Sequence, residues 1–290
     1  MPRESPVFTL GHSPDPDDAF MFYAMAENKI DMRGYKFEHR LEDIQTLNER
    51  ALRGELHISA ISIHAYAYVS DRYALLPCGA SMGDGYGPVV IRKRSIENPL
   101  PSEPEARGFL SDKTIAVPGK MTSAYLALQL FLGSNFKHVV VPFDQIFDTV
   151  NEGRAEAGLI IHEGQLTYAR SGFQKIVDLG EWWKHETGLP LPLGGNVLRK
   201  DIAPAVRHDL LEIIRASIEF GLTHRDEAVR HSMPYARDMN ETLAAKFIGM
   251  YVNNYTRDYG EDGRAAIRKF LGQAQQLGYL DQTPQIEFVE

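Results

Sequence analysis

Short runs of β-branched and apolar residues alternate along the first two thirds of the chain with stretches whose apolar positions return every three or four residues. VFTL (7–10), HISAISI (57–63), PVVIR (88–92), TIAV (114–117), HVVV (138–141), AGLII (157–161) and KIVDL (175–179) predict strands. Their alternation with helical segments predicts parallel βαβ units and an α/β class. DIQTLNERALRG puts Ile44, Leu47 and Ala51 on one face, opens on an acid and stops at Gly54, which predicts a helix. From Ala203 to about Leu222, the residues Val206, Leu210, Ile213, Ile214 and Ile218 recur at helical spacing. Two further helical stretches, around 241–252 and 262–277, make the C-terminal third mostly helix. SIENPLPSEPEARGFLSD (95–112) breaks the pattern with three prolines and several acids, and reads as an exposed connection near a domain boundary.

The pattern also repeats. Residues 7–63 run strand, loop, helix, strand, helix, Gly54, strand, Ser62, and residues 114–162 run strand, loop, helix, strand, helix, Gly153, strand, His162. Eight residues separate Gly54 from Ser62 and nine separate Gly153 from His162, so each copy ends a strand on a polar side chain. Ligands of open α/β sheets sit beyond the carboxyl ends of the strands. Two such lobes facing each other would place Ser62 and His162 on opposite walls of one cleft.

Composition narrows the class. At 290 residues with 43% apolar, the chain can fill one large core or two medium ones. A formal charge of −8, from 39 acids against 31 bases without a run of five like charges, argues against a nucleic-acid partner. No segment approaches the roughly 20 apolar residues of a membrane span. The opening MPRESPVFTLGHSPD has proline and polar residues where a signal peptide needs an apolar run, so the expected location is the cytoplasm. The single cysteine, Cys78, excludes an internal disulfide and reads as a small strand-end residue.

Four loops could carry chemistry. GHSPDPDDAFMF follows the first strand, and its acids Asp15, Asp17 and Asp18 suit a helix N-terminus. His12 and Ser13 could instead form the floor of a ligand site. Three acids with no cluster of histidines nearby make a weak case for a metal site. VPGKMTSAYLAL turns at Pro118 and Gly119 and puts Thr122 and Ser123 where a new helix exposes unpaired N–H groups, with Lys120 close by. A plain N-cap explains this; an anion or carboxylate site uses the same groups. His162 ends the apolar run AGLII, and a free imidazole titrates near 6.5, so it can accept a proton when a second group fixes its orientation. Glu163 is the candidate for that group, although adjacent strand residues point apart. LPLPLGGN (189–196) reads as a stiff crossing or an apolar cleft wall better than as a central strand, and Trp182 and Trp183 could cover an aromatic ligand or pack the core.

The segments SPDPDDAF, LEDIQTLN, ISIHAYA, GYGPVV, AVPGKMTSAY, AGLIIHEGQ, VDLGEWW and LPLPLG, in this order, resemble 1,4-dihydroxy-6-naphthoate synthases of the futalosine route to menaquinone. IIHE followed by LPLPLG is the specific part. The resemblance implies an α/β, two-lobed fold like type 2 periplasmic binding proteins, with a ligand cleft between the lobes. It divides the chain into a larger lobe of 1–94 with 197–290 and a smaller lobe of 95–196. It implies a cytoplasmic carbon–carbon lyase that takes a small-molecule substrate, needs no cofactor or metal, and converts cyclic dehypoxanthine futalosine to the naphthoate. By the same resemblance His162 is the proton acceptor, and Ala60, Ile61 and Ser62 together with Thr122 and Ser123 bind substrate. Some members have SPCPNDTF where this chain has SPDPDDAF, and a lysine where Ala60 stands. Ala60 can therefore offer only backbone or shape. The rival readings are the related chorismate dehydratase and a non-catalytic binding protein of the same fold. Whether the chain is a homo-oligomer stays open.

Overall fold

A computed structural model describes residues 5–95, 100–237, 239–281 and 284–290. In chain order the strands are β1 (Val7–His12), β2 (Lys36–Leu41), β3 (Ile58–Ser62), β4 (Tyr73–Leu75), β5 (Ser81–Gly83) and β6 (Val89–Lys93). They continue as β7 (Ile115–Val117), β8 (His138–Val140), β9 (Ala157–Ile160), β10 (Phe173–Asp178) and β11 (Leu191–Arg199). They form two sheets, one ordered β2-β1-β3-β11-β4 with β5 also paired to β11, the other β10-β6-β9-β7-β8.

The repeat seen in the sequence is a repeat of topology. In the first sheet β1 lies parallel between β2 and β3. In the second, β7 lies parallel between β8 and β9. The next strand inward is antiparallel in both: β11 against β3 and β6 against β9. Each of these belongs by sequence to the stretch adjoining the other lobe, so each sheet is completed by a strand from a chain crossing.

This corrects the expected lobe boundaries. Residues 89–93 fall in the second sheet although 1–94 was assigned to the larger lobe, and Leu191–Asn196 fall in the first sheet although 95–196 was assigned to the smaller one. The composition break at 95–112 lies within the second lobe. Residues 96–99 of it are outside the described residues, and Glu103–Leu110 is a helix closed by a capping box between Ser102 and Glu105. LPLPLGG is likewise no mere crossing. Pro192 pairs only with the short β5, next to a register shift, so its missing N–H costs the ladder little, while Gly194–Leu198 pair with β3 in the middle of the sheet.

The chain crosses between the sheets twice, and the crossings touch. A Cβ on Gly180 would stand 1.9 Å from the Tyr86 carbonyl oxygen, and one on Gly87 would stand 3.0 Å from the Gly180 Cα. Only glycine fits at this close backbone approach.

The helix Ile44–Arg53 forms where the apolar spacing predicted it. Asp43 caps it by accepting from Gln45 N–H at 3.0 Å and Thr46 N–H at 3.2 Å, and Gly54 ends it in the left-handed region at φ 70°. The long helix Pro204–Thr223 packs Leu210, Ile213, Ile214 and Ile218 against Phe20, Phe22, Ile58 and Leu198. Burial of side chains of this size stabilises by about 1.5–3 kcal/mol each. Trp182 and Trp183 are buried against Phe131 and Phe270 and belong to the core; neither lines the cleft described below.

Candidate functional site

The carboxyl ends of β1, β3, β7 and β9 converge on one cleft. Ala60, Ile61 and Ser62 at the end of β3, Thr122 and Ser123 at the start of the helix Ser123–Leu132, and His162 just beyond β9 all line it. The structure therefore gathers these six residues into one cavity.

Ser62 is held by Asn48, whose amide oxygen accepts Ser62 N–H at 2.8 Å and whose amide nitrogen donates to Ser62 Oγ at 3.0 Å. The Ser62 hydroxyl is left with a proton to donate into the cleft. Opposite, Thr122 caps its helix by accepting from Tyr125 N–H at 3.1 Å. The first-turn N–H groups of Ser123 and Ala124 have no acceptor within the helix, and Ala124 also lines the cleft. Ser123 Oγ accepts from His64 N–H at 3.1 Å. Lys120, expected to lend charge, is exposed and is not part of the lining.

His162 follows β9 by two residues, and the chain there has already left the strand: Glu163 has φ −54° and ψ −18°. The expectation that neighbouring strand-end side chains point apart therefore fails, and Glu163 Oε2 lies 3.6 Å from His162 Nδ1. Gly164 N–H donates to that same Nδ1 at 3.0 Å. In the neutral ring the proton is then on Nε2, which is buried and has no hydrogen-bond partner. Phe143 and Phe147 stand edge-on to the imidazole, with centroids 5.5 Å and 6.0 Å away. Gly164 makes room for the ring, since a Cβ there would come within 2.7 Å of both His162 Cε1 and Phe147.

The first loop supplies acids, in part as expected. Ser13, Asp15, Asp17 and Asp18 line the cleft. His12 does not; it is buried against Phe22 with its Nε2 3.0 Å from His39 Nδ1. Asp15 occupies the N-cap position of the helix Pro16–Met21 without a side-chain cap bond, and Asp18 instead accepts from Ser13 N–H at 2.6 Å. Burial pushes the Asp15 carboxyl up, reinforced by Glu163. Asp17 is raised well above the usual range by burial and then by Asp18 and Asp15, and Asp18 is raised to about 6, again chiefly by burial. Among the described residues the lining contains no lysine or arginine. The cleft is thus polar in two senses: crowded carboxyls whose ionisation burial disfavours on one side, backbone donors and hydroxyls on the other.

Residues 193–196 line the cleft, in keeping with the cleft-wall reading of LPLPLGGN, whereas other parts of the lining had no signal in the sequence. Asn196 of β11 donates to the Gly79 carbonyl at 3.0 Å, and its buried amide oxygen has no partner. Tyr251 donates its hydroxyl to Gln165 Oε1 from the C-terminal helices. Asn48 was legible in principle, as a polar residue on the buried face shared by Ile44, Leu47 and Ala51. Among the described residues no group of three or more His, Cys, Asp or Glu could hold a metal ion. Cys78 is buried, and burial pushes its thiol up to about 12, which fits a packing role.

Known proteins resemble the chain over nearly its whole length. A family model described as menaquinone biosynthesis matches residues 8–276. A 1,4-dihydroxy-6-naphthoate synthase of Thermus thermophilus is 38% identical over 97% of this chain and 98% of its own. One of Streptomyces coelicolor is 36% identical over 93% and 94%. Among solved structures, an Archaeoglobus fulgidus protein is 43% identical, with a TM-score of 0.86 over 94% of this chain and 98% of its own. A Candida albicans protein described as having the generic periplasmic binding protein fold aligns with a TM-score of 0.66 at 13% identity, over 96% and 92% of the two chains, a likeness of fold alone. With the cleft, its paired lobes and these relatives together, the chain belongs to the menaquinone biosynthesis family and has the two-lobed, periplasmic-binding-protein-like fold.

Proposed function

We propose that the chain is a 1,4-dihydroxy-6-naphthoate synthase: a cytoplasmic carbon–carbon lyase that converts cyclic dehypoxanthine futalosine to the naphthoate and a sugar-derived fragment. Full-length similarity to two synthases supports the activity. The observation that carries the chemistry is a buried imidazole, with an unpartnered Nε2, in a cleft lined by hydroxyls and a helix N-terminus.

The polarity of the cleft orients the substrate. Its aromatic carboxylate is repelled by the Asp15, Asp17 and Asp18 wall and is received by the Ser123 and Ala124 N–H groups, with the Thr122–Ser123 helix end adding its dipole. The hydroxyls of the sugar-derived part then meet the acids, which accept hydrogen bonds when ionised and donate them when protonated. Ser62 and the backbone of Ala60 and Ile61 flank the reacting ring. His162 removes a proton at Nε2, in the tautomer that carries its own proton on Nδ1, and carbon–carbon cleavage follows as the ring becomes aromatic. Aromatisation supplies driving force, so one placed base suffices to start the reaction. No protein nucleophile or cofactor enters this scheme.

Incubation of the purified protein with cyclic dehypoxanthine futalosine, followed by absorbance and mass, is the test. The naphthoate should accumulate with turnover. Tight binding without turnover would make the chain a binding protein, and turnover of chorismate instead would make it a dehydratase. Against the dehydratase stand the IIHEGQ and LPLPLG segments and the names of both relatives.

A further inference from the structure

His162 Nδ1 has two neighbours that ask opposite things of it. Gly164 N–H at 3.0 Å needs a lone pair there, and Glu163 Oε2 at 3.6 Å needs a proton. The first arrangement leaves a proton on Nε2, and such a ring is a donor toward the cleft. The second leaves Nε2 bare, and such a ring is a base. The Glu163 side chain is buried, and its Oε2 has no hydrogen-bond partner. A desolvated carboxylate oxygen without a donor is costly, so it gains by taking the Nδ1 proton. Closing 3.6 Å to the roughly 2.8 Å of a charge-assisted bond needs under about 1 Å of movement.

We propose that Glu163 is the positioning residue that sets the tautomer of His162, drawing its proton to Nδ1 so that Nε2 becomes the acceptor. This rests on the reading of His162 as the base. In the step itself the substrate proton goes to Nε2, the ring becomes an imidazolium, and its Nδ1–H stays hydrogen-bonded to the Glu163 carboxylate. No proton passes to Glu163, which remains ionised throughout.

The surroundings are consistent with an ionised Glu163. Burial raises its carboxyl, but His162, its own backbone and Arg237 together outweigh burial and hold it below the usual carboxylate range. The charged groups that act on the pair are Asp15 from the first loop and Arg237, whose guanidinium lies 4.9 Å over the Phe143 ring. The other faces of the imidazole are closed by Phe143 and Phe147, which offer no competing acceptor.

The experiment pairs nitrogen-15 NMR of labelled histidine with kinetics in wild type, Glu163→Gln and Glu163→Asp. A glutamine can donate to Nδ1 as well as accept, so it does not select the Nδ1–H form. In Glu163→Gln the nitrogen-15 pattern of His162 should move from the Nδ1–H toward the Nε2–H tautomer, since the carboxylate that holds the Nδ1 proton has been lost. Its kcat should fall about thirtyfold with KM within about threefold, and Glu163→Asp should recover part of the loss. An unchanged tautomer pattern, or a loss confined to KM, would overturn the proposal. If the wild type makes no naphthoate while the tautomer still changes, the synthase reading fails and the Glu163–His162 pairing stands.

Discussion

At the scale of single residues, burial decides which groups can change charge. His162→Ala should lower kcat by about a hundredfold or more, as loss of a general base does, with naphthoate formation as the measurement. Other histidines answer to pH through stability. Burial pushes His64 down to about 4, against a rise from its contact with the Thr122 carbonyl, and pushes His12 to about 4 with help from His39. An imidazole whose folded value lies below its unfolded one binds its proton better when unfolded. Its contribution is therefore full above about pH 6.5 and is lost as pH falls toward 4. Asp18 and Asp178, both raised to about 6, act in the opposite direction over much of the same window. A comparison with a variant removes that offset. His64→Gln should be less stable than wild type in urea at pH 7, and its deficit should shrink by on the order of 1 to 2 kcal/mol at pH 5.

At the scale of elements, the helix Ile44–Arg53 does more than cover β3. Through Asn48 it holds the backbone and the hydroxyl of Ser62, and it reaches the Met121 carbonyl at 3.4 Å. Asn48→Ala would leave the buried Ser62 N–H without its acceptor, at about 1–3 kcal/mol. A lower thermal midpoint and a raised KM should appear together. Elements with strong periodicity were legible in the sequence: this helix, Pro204–Thr223, and the parallel strands of both repeats. What escaped was short or written against its own composition. β4 (YAL) and β5 (SMG) have three residues each and lack the β-branched run that marks the equally short β7 and β8. β11 was hidden by its prolines, because the sequence cannot say that Pro192 faces only a short neighbour. Of the site, the residues next to loop motifs were readable, whereas Tyr251 reaches the cleft by tertiary folding alone.

At the scale of the whole molecule, the lobes are closed on each other across the cleft. Asn48 and Gln45 bond to the Met121 backbone, the latter accepting N–H at 3.3 Å, His64 N–H reaches Ser123 Oγ, and Tyr251 meets Gln165. Gly119 lets the Gln45 side chain approach: a Cβ there would lie 2.3 Å from Gln45 Oε1. Gly119→Ala should displace Gln45, weaken closure and raise KM several-fold with a smaller effect on kcat. Small-angle scattering should show a larger radius for the variant with product bound than for the wild type. Closure of this kind excludes water and fixes the reacting groups.

The contact between Gly87 and Gly180 gives that closure its character. Where the two chain crossings meet, backbone lies against backbone, with the Leu191 side chain beside Gly87. A turn of one lobe against the other takes changes of backbone angle at these crossings together with movement across the apolar packing that joins the lobes, while each sheet keeps its borrowed strand. Such a hinge admits a bulky substrate and releases an aromatic product, and the apolar layer shared by Ile61 of β3 and Leu159 of β9 has to give way with it.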